Sequence, residues 1–411
     1  MIYRYCSENC KVVLMCCLFS FLLFSCSPHI SPSFEMRHAA SDTSTAVNIR
    51  AQIRLLSIDK NATPETNALF NNLKKISKTN TLFGHHDDTK TGYGRANFYN
   101  PDDPAAPYID CSDVKSITGV YPAVFGWDFM RIVDFYTGNR KAWETKITRD
   151  LTIDAYNKGA INTYSWHYQN PVAGEGIWWR DVKVEAVRPI LPGGSHHDVY
   201  KKSLRELAEY AKSLIGADGK LIPIIFRPFH EMNGDWFWWG KGHCTVQEYK
   251  LLYRFTVEYL RDSLGVHNFL YAWSPDREFT TETQYLKYYP GDAYTDIVGV
   301  DDYHDLLPGT DPNIAAHKLK IISDYAIKKN KVAAFTETGL DKISQPDWFT
   351  KMLNPALHNE PLNISYVMLW SNTNDMYFIP YAGHPAEKDF IQFKSDPHIL
   401  FTGMLPNLYT F

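Results

Sequence analysis

Leu221-Ile222-Pro223-Ile224-Ile225-Phe226-Arg227-Pro228-Phe229-His230-Glu231 is an apolar, β-branched and aromatic run that stops in a histidine and a carboxylate. A run of this length and composition reads as a buried strand. The same pattern recurs along the chain. Strand candidates lie at 81–85, 123–129, 161–167, 221–229, 268–273, 296–301, 331–336 and 364–370, with helical patterns at 140–158, 199–214, 245–264, 313–329 and 346–353. Alternation of strand and helix calls for a parallel sheet. Eight strands with seven crossovers fit a single-domain α/β fold closed as a (β/α)8 TIM barrel better than an open sheet. After the first strand comes Gly84-His85-His86-Asp87 rather than Gly-x-Gly-x-x-Gly, which disfavours a dinucleotide-binding fold.

In such barrels the C-terminal strand ends form the site. Here they carry His85-His86-Asp87-Asp88, Trp127-Asp128, Trp166-His167, His230-Glu231, Trp273-Ser274-Pro275-Asp276, Asp301-Asp302-Tyr303-His304, Thr336-Glu337 and Trp370-Ser371-Asn372. Glu231 closes the fourth strand and Glu337 the seventh, on opposite sides of an eight-membered ring. Two such carboxylates can face each other across the mouth. Glycosidic cleavage with retention needs that pair: an acid for the leaving oxygen and a nucleophile for the anomeric carbon. Their mutual repulsion raises one pKa, so that one of them holds a proton near neutrality. Arg227, four residues before Glu231 on the same strand face, supports the carboxylates or forms a core ion pair; the sequence leaves both open. Adjacent strand residues point to opposite faces, so His230 joins Glu231 in the site only if the strand twists or ends there.

The chain has 411 residues, 45% hydrophobic and 15% aromatic, with a formal charge of −4. No basic run provides an electrostatic footprint for nucleic acid. The 11 tryptophans matter more, because flat apolar rings suit pyranose faces. Trp370, ending the eighth strand, suits a sugar-stacking floor, whereas Trp178-Trp179 and Trp238-Trp239, in loops, suit either outer sugar subsites or loop packing.

Residues 227–240, Arg-Pro-Phe-His-Glu-Met-Asn-Gly-Asp-Trp-Phe-Trp-Trp-Gly, resemble the acid/base signature of glycoside hydrolase family 26, the β-mannanase family among the retaining barrel enzymes. Phe335-Thr336-Glu337-Thr338-Gly339 resembles the family's nucleophile motif, and His230 stands where most relatives in the wider clan have asparagine. Residues 84–88 and Ser165-Trp166-His167 are also similar to the family, and the likeness covers about 65–400. It implies Glu231 as acid/base and Glu337 as nucleophile. It further implies that Tyr303 hydrogen-bonds the nucleophile, and that His167, His230 and Trp236 line the subsite of the reacting sugar. The implied substrate is β-mannan or galactomannan, cut without a cofactor or metal by a monomer. β-1,3-Xylan and mixed-linkage β-glucan are the alternatives within the family.

Two other classes fit less well. A metal-dependent barrel hydrolase wants His-x-His on its first strand, where this chain has two adjacent histidines. A non-catalytic glycan-binding lipoprotein would keep the tryptophans but has no use for two opposed carboxylates.

At the N-terminus, Arg4 and Lys11 precede an apolar run at 12–24, too short to span a membrane comfortably. It ends in Leu23-Phe24-Ser25-Cys26, which resembles a Bacteroides-type lipobox. Residues 1–26 thus read as a lipoprotein signal peptide with Cys26 lipidated, and 27–50, rich in Ser, Thr, Pro and Ala, as a flexible tether. The catalytic barrel takes 51–411. The expected location is the outer membrane, reached only through the lipid, and the lack of an acidic run after Cys26 favours its periplasmic side over the cell surface. Five of seven cysteines fall in the leader, leaving Cys111 and Cys244 as either a bridge or free thiols.

Overall fold

The computed structural model describes residues 56–94 and 111–411; the leader, its Cys26 and the tether lie outside them. Eight parallel strands follow in order around a ring: β1 (Thr81–His86), β2 (Val124–Asp128), β3 (Ile161–Trp166), β4 (Ile224–Pro228), β5 (Phe269–Trp273), β6 (Ile297–Asp301), β7 (Val332–Thr338) and β8 (Ile364–Leu369). β8 pairs with β1 and β1 with β2, which closes the barrel. Every residue of these eight strands is buried, so the apolar runs of the sequence are barrel staves packed on both faces.

The seam between β1 and β2 has an addition that the sequence did not announce. β2 pairs only with the upper half of β1, Gly84 to His86. The lower half, Thr81 and Leu82, pairs instead with a ninth strand, β9 (Ile399–Leu400). Two residues are too few for periodicity to register.

The crossover helices lie close to their expected places: Gly138–Asn157, His197–Lys212, Val246–Glu258 and Pro312–Lys329. Local chemistry sets their ends. Thr245 and Glu248 form a capping box, and Asp311 caps a helix that starts with proline and stops at Asn330 in the left-handed conformation. The expected helix at 346–353 is a single wide turn, Phe349–Leu353, continued by Asn354–His358. One long helix lies outside the expected set, Pro64–Ile76, capped by Thr63. It precedes the first strand, so alternation gave no reason to seek it. Thr63 N–H donates to the His267 carbonyl before β5, and Ile58 N–H to Asp296 before β6, which fixes this segment beneath the strand starts. The opposite end is left open for the site. Cys111 and Cys244 are free thiols.

Candidate active site

β4 ends at Pro228, and the backbone then passes through two left-handed residues, Phe229 (φ 51°) and Glu231 (φ 55°). Non-glycine residues in this region are strained and persist only where their surroundings hold them. Here Tyr249 O–H donates to the Phe229 carbonyl (3.0 Å), Trp239 Nε1–H to the His230 carbonyl (2.8 Å), and Glu231 N–H to the Ser274 carbonyl just after β5 (2.9 Å). The turn removes the strand alternation that would have sent His230 and Glu231 to opposite faces.

The half-buried Glu231 carboxylate accepts one hydrogen bond, from Trp236 Nε1–H at 2.7 Å, and no cation pairs with it among the described residues. Burial first, then the charges of Asp301, Glu337 and Asp276, push its pKa well above the ordinary carboxylate value. It therefore keeps its proton where exposed glutamates have lost theirs.

Glu337 is placed by a different device. Val300 pairs with Phe335 but Asp301 pairs with Glu337, so Thr336 bulges out of register and re-aims the residue after it. The residue is 6% exposed, and its carboxylate accepts from Tyr303 O–H at 2.7 Å and from Arg227 Nη2–H at 2.5 Å. The other arm of the guanidinium donates to Asp301 (2.6 Å) and Ser274 (3.2 Å). Arg227 thus serves Glu337 across the barrel rather than Glu231 on its own strand, and it is both carboxylate support and core ion pair. Burial and the Glu337 charge hold the Tyr303 phenol well above its usual range, which keeps it a donor.

A sector of rings adjoins the two carboxylates. His167 packs edge-on against His230 (centroids 4.7 Å) and Trp370 (5.7 Å), and Trp370 stacks on His86 (4.2 Å, 18°). The Gly126 position leaves room for His86, since a Cβ there would stand 2.5 Å from its Nδ1. Burial pushes His86 down to about 3 and His230 well below its ordinary value, so both rings are neutral. His167 goes the other way. Burial alone would depress it, but the Asp128 carboxylate bonded to its Nδ1 outweighs that and raises its pKa. Asp128 also accepts from Ser165 O–H (2.9 Å) and from the N–H groups of Met130 and His167.

The outer tryptophans divide. Trp178 is exposed, with its ring stacked on buried Phe237 (4.9 Å, 18°), which reaches both His167 and His230 edge-on. Trp179 stacks on His243 at 3.9 Å, and its backbone N–H donates to the Trp236 carbonyl (2.7 Å). Trp238 and Trp239 are fully buried and donate to backbone carbonyls; for this pair the loop-packing alternative is the structural answer.

His230, Asp301 and Glu337 bring donor atoms within 4.8 Å of one another, a grouping with the dimensions of a cation site. A cation already serves it: the Arg227 guanidinium donates to both carboxylates, leaving an added metal ion to compete with a fixed charge.

Three residues at the mouth were not singled out from sequence: His86, Asp128 and Phe237. Asp128 ends a strand as Glu231 and Glu337 nearly do, and that position was the available signal. His85 and His86 are the adjacent pair whose alternation argued against a metal-dependent hydrolase. They separate as that alternation requires, His85 pairing with buried Asp88 and His86 stacking on Trp370.

One carboxyl kept protonated and a second fixed by cation and phenol, at the open end of a closed barrel, are the working parts of a glycoside hydrolase. The chain belongs to glycosyl hydrolase family 26, whose sequence profile matches residues 58–377. Among curated proteins it is 35% identical over 388 residues to a mannan endo-1,4-beta-mannosidase of Bifidobacterium adolescentis, covering 88% of this chain but 36% of that one. It therefore spans about a third of that relative's length. A mannan endo-1,4-beta-mannosidase of Bacillus subtilis is 28% identical, with 63% of this chain and 68% of the relative covered. Among solved structures, GH26C of a Muricauda species superposes with a TM-score of 0.81 at 38% identity, covering 88% of this chain and 97% of that one. A GH26 beta-mannanase of Bacteroides ovatus gives 0.76 at 35% identity, with 85% and 98% covered.

Proposed function

We propose that the protein is a retaining β-mannanase that cuts β-1,4-mannosidic bonds in mannan or galactomannan by double displacement. Glu337 attacks the anomeric carbon while Glu231 gives its proton to the departing oxygen, leaving a glycosyl-enzyme ester. Glu231, now ionised, takes a proton from water as that water attacks the same carbon, and Glu337 leaves with the bonding pair. The observation that carries this reading is the unlike treatment of two neighbouring glutamates: one protonated beside an indole, the other held by Arg227 and Tyr303.

His167, His230, Trp236, Tyr303 and Trp370 line the subsite of the reacting sugar, with Trp370 as its stacking floor. Trp178, and more remotely Trp179, serve outer subsites. Relatives named as mannosidases support mannan over β-1,3-xylan or mixed-linkage glucan. The leader sequence supports export with a lipid on Cys26 and residence on the periplasmic side of the outer membrane; protease resistance of the protein on intact cells tests that orientation.

The activity is tested by incubation with mannohexaose, following the anomeric protons by nuclear magnetic resonance. The expected result is shorter oligosaccharides released first as the β-anomer. Release of the α-anomer, or no new reducing ends, overturns the proposal.

A further inference from the structure

Beside the catalytic mouth, a cavity of about 460 Å³ opens between the segments that follow β4 and β5. Asn233 forms part of its wall and lies two residues after Glu231. Its amide clasps Asp276 twice, donating to the carbonyl (2.9 Å) and accepting from the N–H (2.7 Å), so cavity wall and acid share one braced segment. β4 and β5 stand across the ring from β8 and β1, which carry Trp370 and His86. A sugar stacked on Trp370 puts its departing neighbour on the Glu231 side, toward this cavity.

The cavity's charge is unusual for a chain of net charge −4. Four cations, Lys241, Arg277, Lys287 and Lys318, line it against one anion, Glu278. Lys318 is buried and neutralised by Asp305, with Asp302 at 3.8 Å. Arg277 is shared between Glu278 (3.4 Å) and Asp305 (3.5 Å), and its buried Nε has no hydrogen-bond partner. Lys241 and Lys287 are exposed, and neither forms an ion pair among the described residues. The buried rings of Phe279, Tyr285 and Tyr288 pack behind them. An aromatic wall with surplus positive charge at its edge suits a ring that has an apolar face and a carboxylate.

We propose that this cavity is a subsite for a carboxylate-bearing sugar, a uronate, in the departing part of the polysaccharide. The inference rests on the mannanase reading and adds a substrate preference to it. Its probes are two mannopentaose derivatives of equal length, one with the reducing end oxidised to the aldonate and one reduced to the alditol, so that they differ in the carboxylate. The wild-type protein is expected to show kcat/KM roughly fivefold higher for the aldonate at low salt, from two solvent-facing ion pairs. That ratio should fall toward one with added salt and in the double variant K241A/K287A. A wild-type ratio of one, or a fivefold ratio that survives in the variant, overturns the proposal. Failure to cleave the alditol counts against the mannanase reading alone. The subsite is then read separately, as the ratio of Kd values for the two probes on Glu337→Ala by calorimetry, where equal values or no binding of either refute it.

Discussion

At the end of β4 the chain turns through two left-handed residues and presents Glu231 to an indole N–H, whereas at the end of β7 it stays a strand, bulges once and presents Glu337 to a guanidinium and a phenol. The side chains are identical and each lies in the other's field. Their surroundings divide the labour. Without a cation, burial and neighbouring charge make Glu231 a proton carrier; Arg227 and Tyr303 pair with Glu337 and aim it. Environment rather than residue type assigns acid and nucleophile, as it does wherever two carboxyl groups share a site.

The sharpest way to break this comparison is to remove each glutamate in turn. Glu337→Ala should lower kcat on mannan by on the order of 10⁴-fold or more, since no covalent intermediate can form. Near-normal turnover in a reducing-sugar assay would sink the assignment. Glu231→Ala should lose about 10²- to 10⁴-fold on mannan but much less on an aryl mannoside whose leaving group needs no proton. Equal losses on both substrates would mean that Glu231 is not the proton donor.

The comparison sharpens when single hydrogen bonds are removed. Trp236→Phe deletes the donor that favours the ionised Glu231 carboxylate. The pKa of Glu231 should rise, and because the acid must be protonated, the alkaline limb of the kcat/KM profile should move to higher pH, with a loss of roughly tenfold or less at the optimum. A shift to lower pH contradicts the electrostatics. The smallest effect concerns stability. Glu231 holds its proton in the folded chain at pH values where the unfolded chain has released it. Folding stability therefore declines as pH rises from the unfolded carboxylate range toward the folded pKa. Glu231→Gln removes that decline, and its melting temperature at neutral pH should exceed wild type by about one to three degrees.

Much of the barrel was legible because each stave is a continuous apolar run ended by a polar residue, a pattern that survives in one dimension. Pro64–Ile76 had its own signals in Thr63, Pro64 and Glu65, but lay outside the alternating pattern that guided the reading. β9 was too short to see. At the mouth, the positions of Glu231 and Glu337 followed from strand order alone. The means of placing them did not, because a left-handed turn at Phe229 and a bulge at Thr336 are departures from the periodicity on which such reading depends. The Asp128–His167 pair joins ends of two different strands, and the Trp370–His86 stack joins β8 to β1 across the seam. Contacts between distant segments leave no local trace.

The pairing of Thr81 with Ile399 and Leu82 with Leu400 also bears on how the molecule is made. A chain emerging from the ribosome can assemble its staves in order, yet the base of its first stave waits for a partner supplied only after the eighth. The lower edge of the first stave is thus covered only once residues 399–400 have been made, and a product cut short before residue 399 keeps an unpaired edge of the kind that recruits other chains into aggregates.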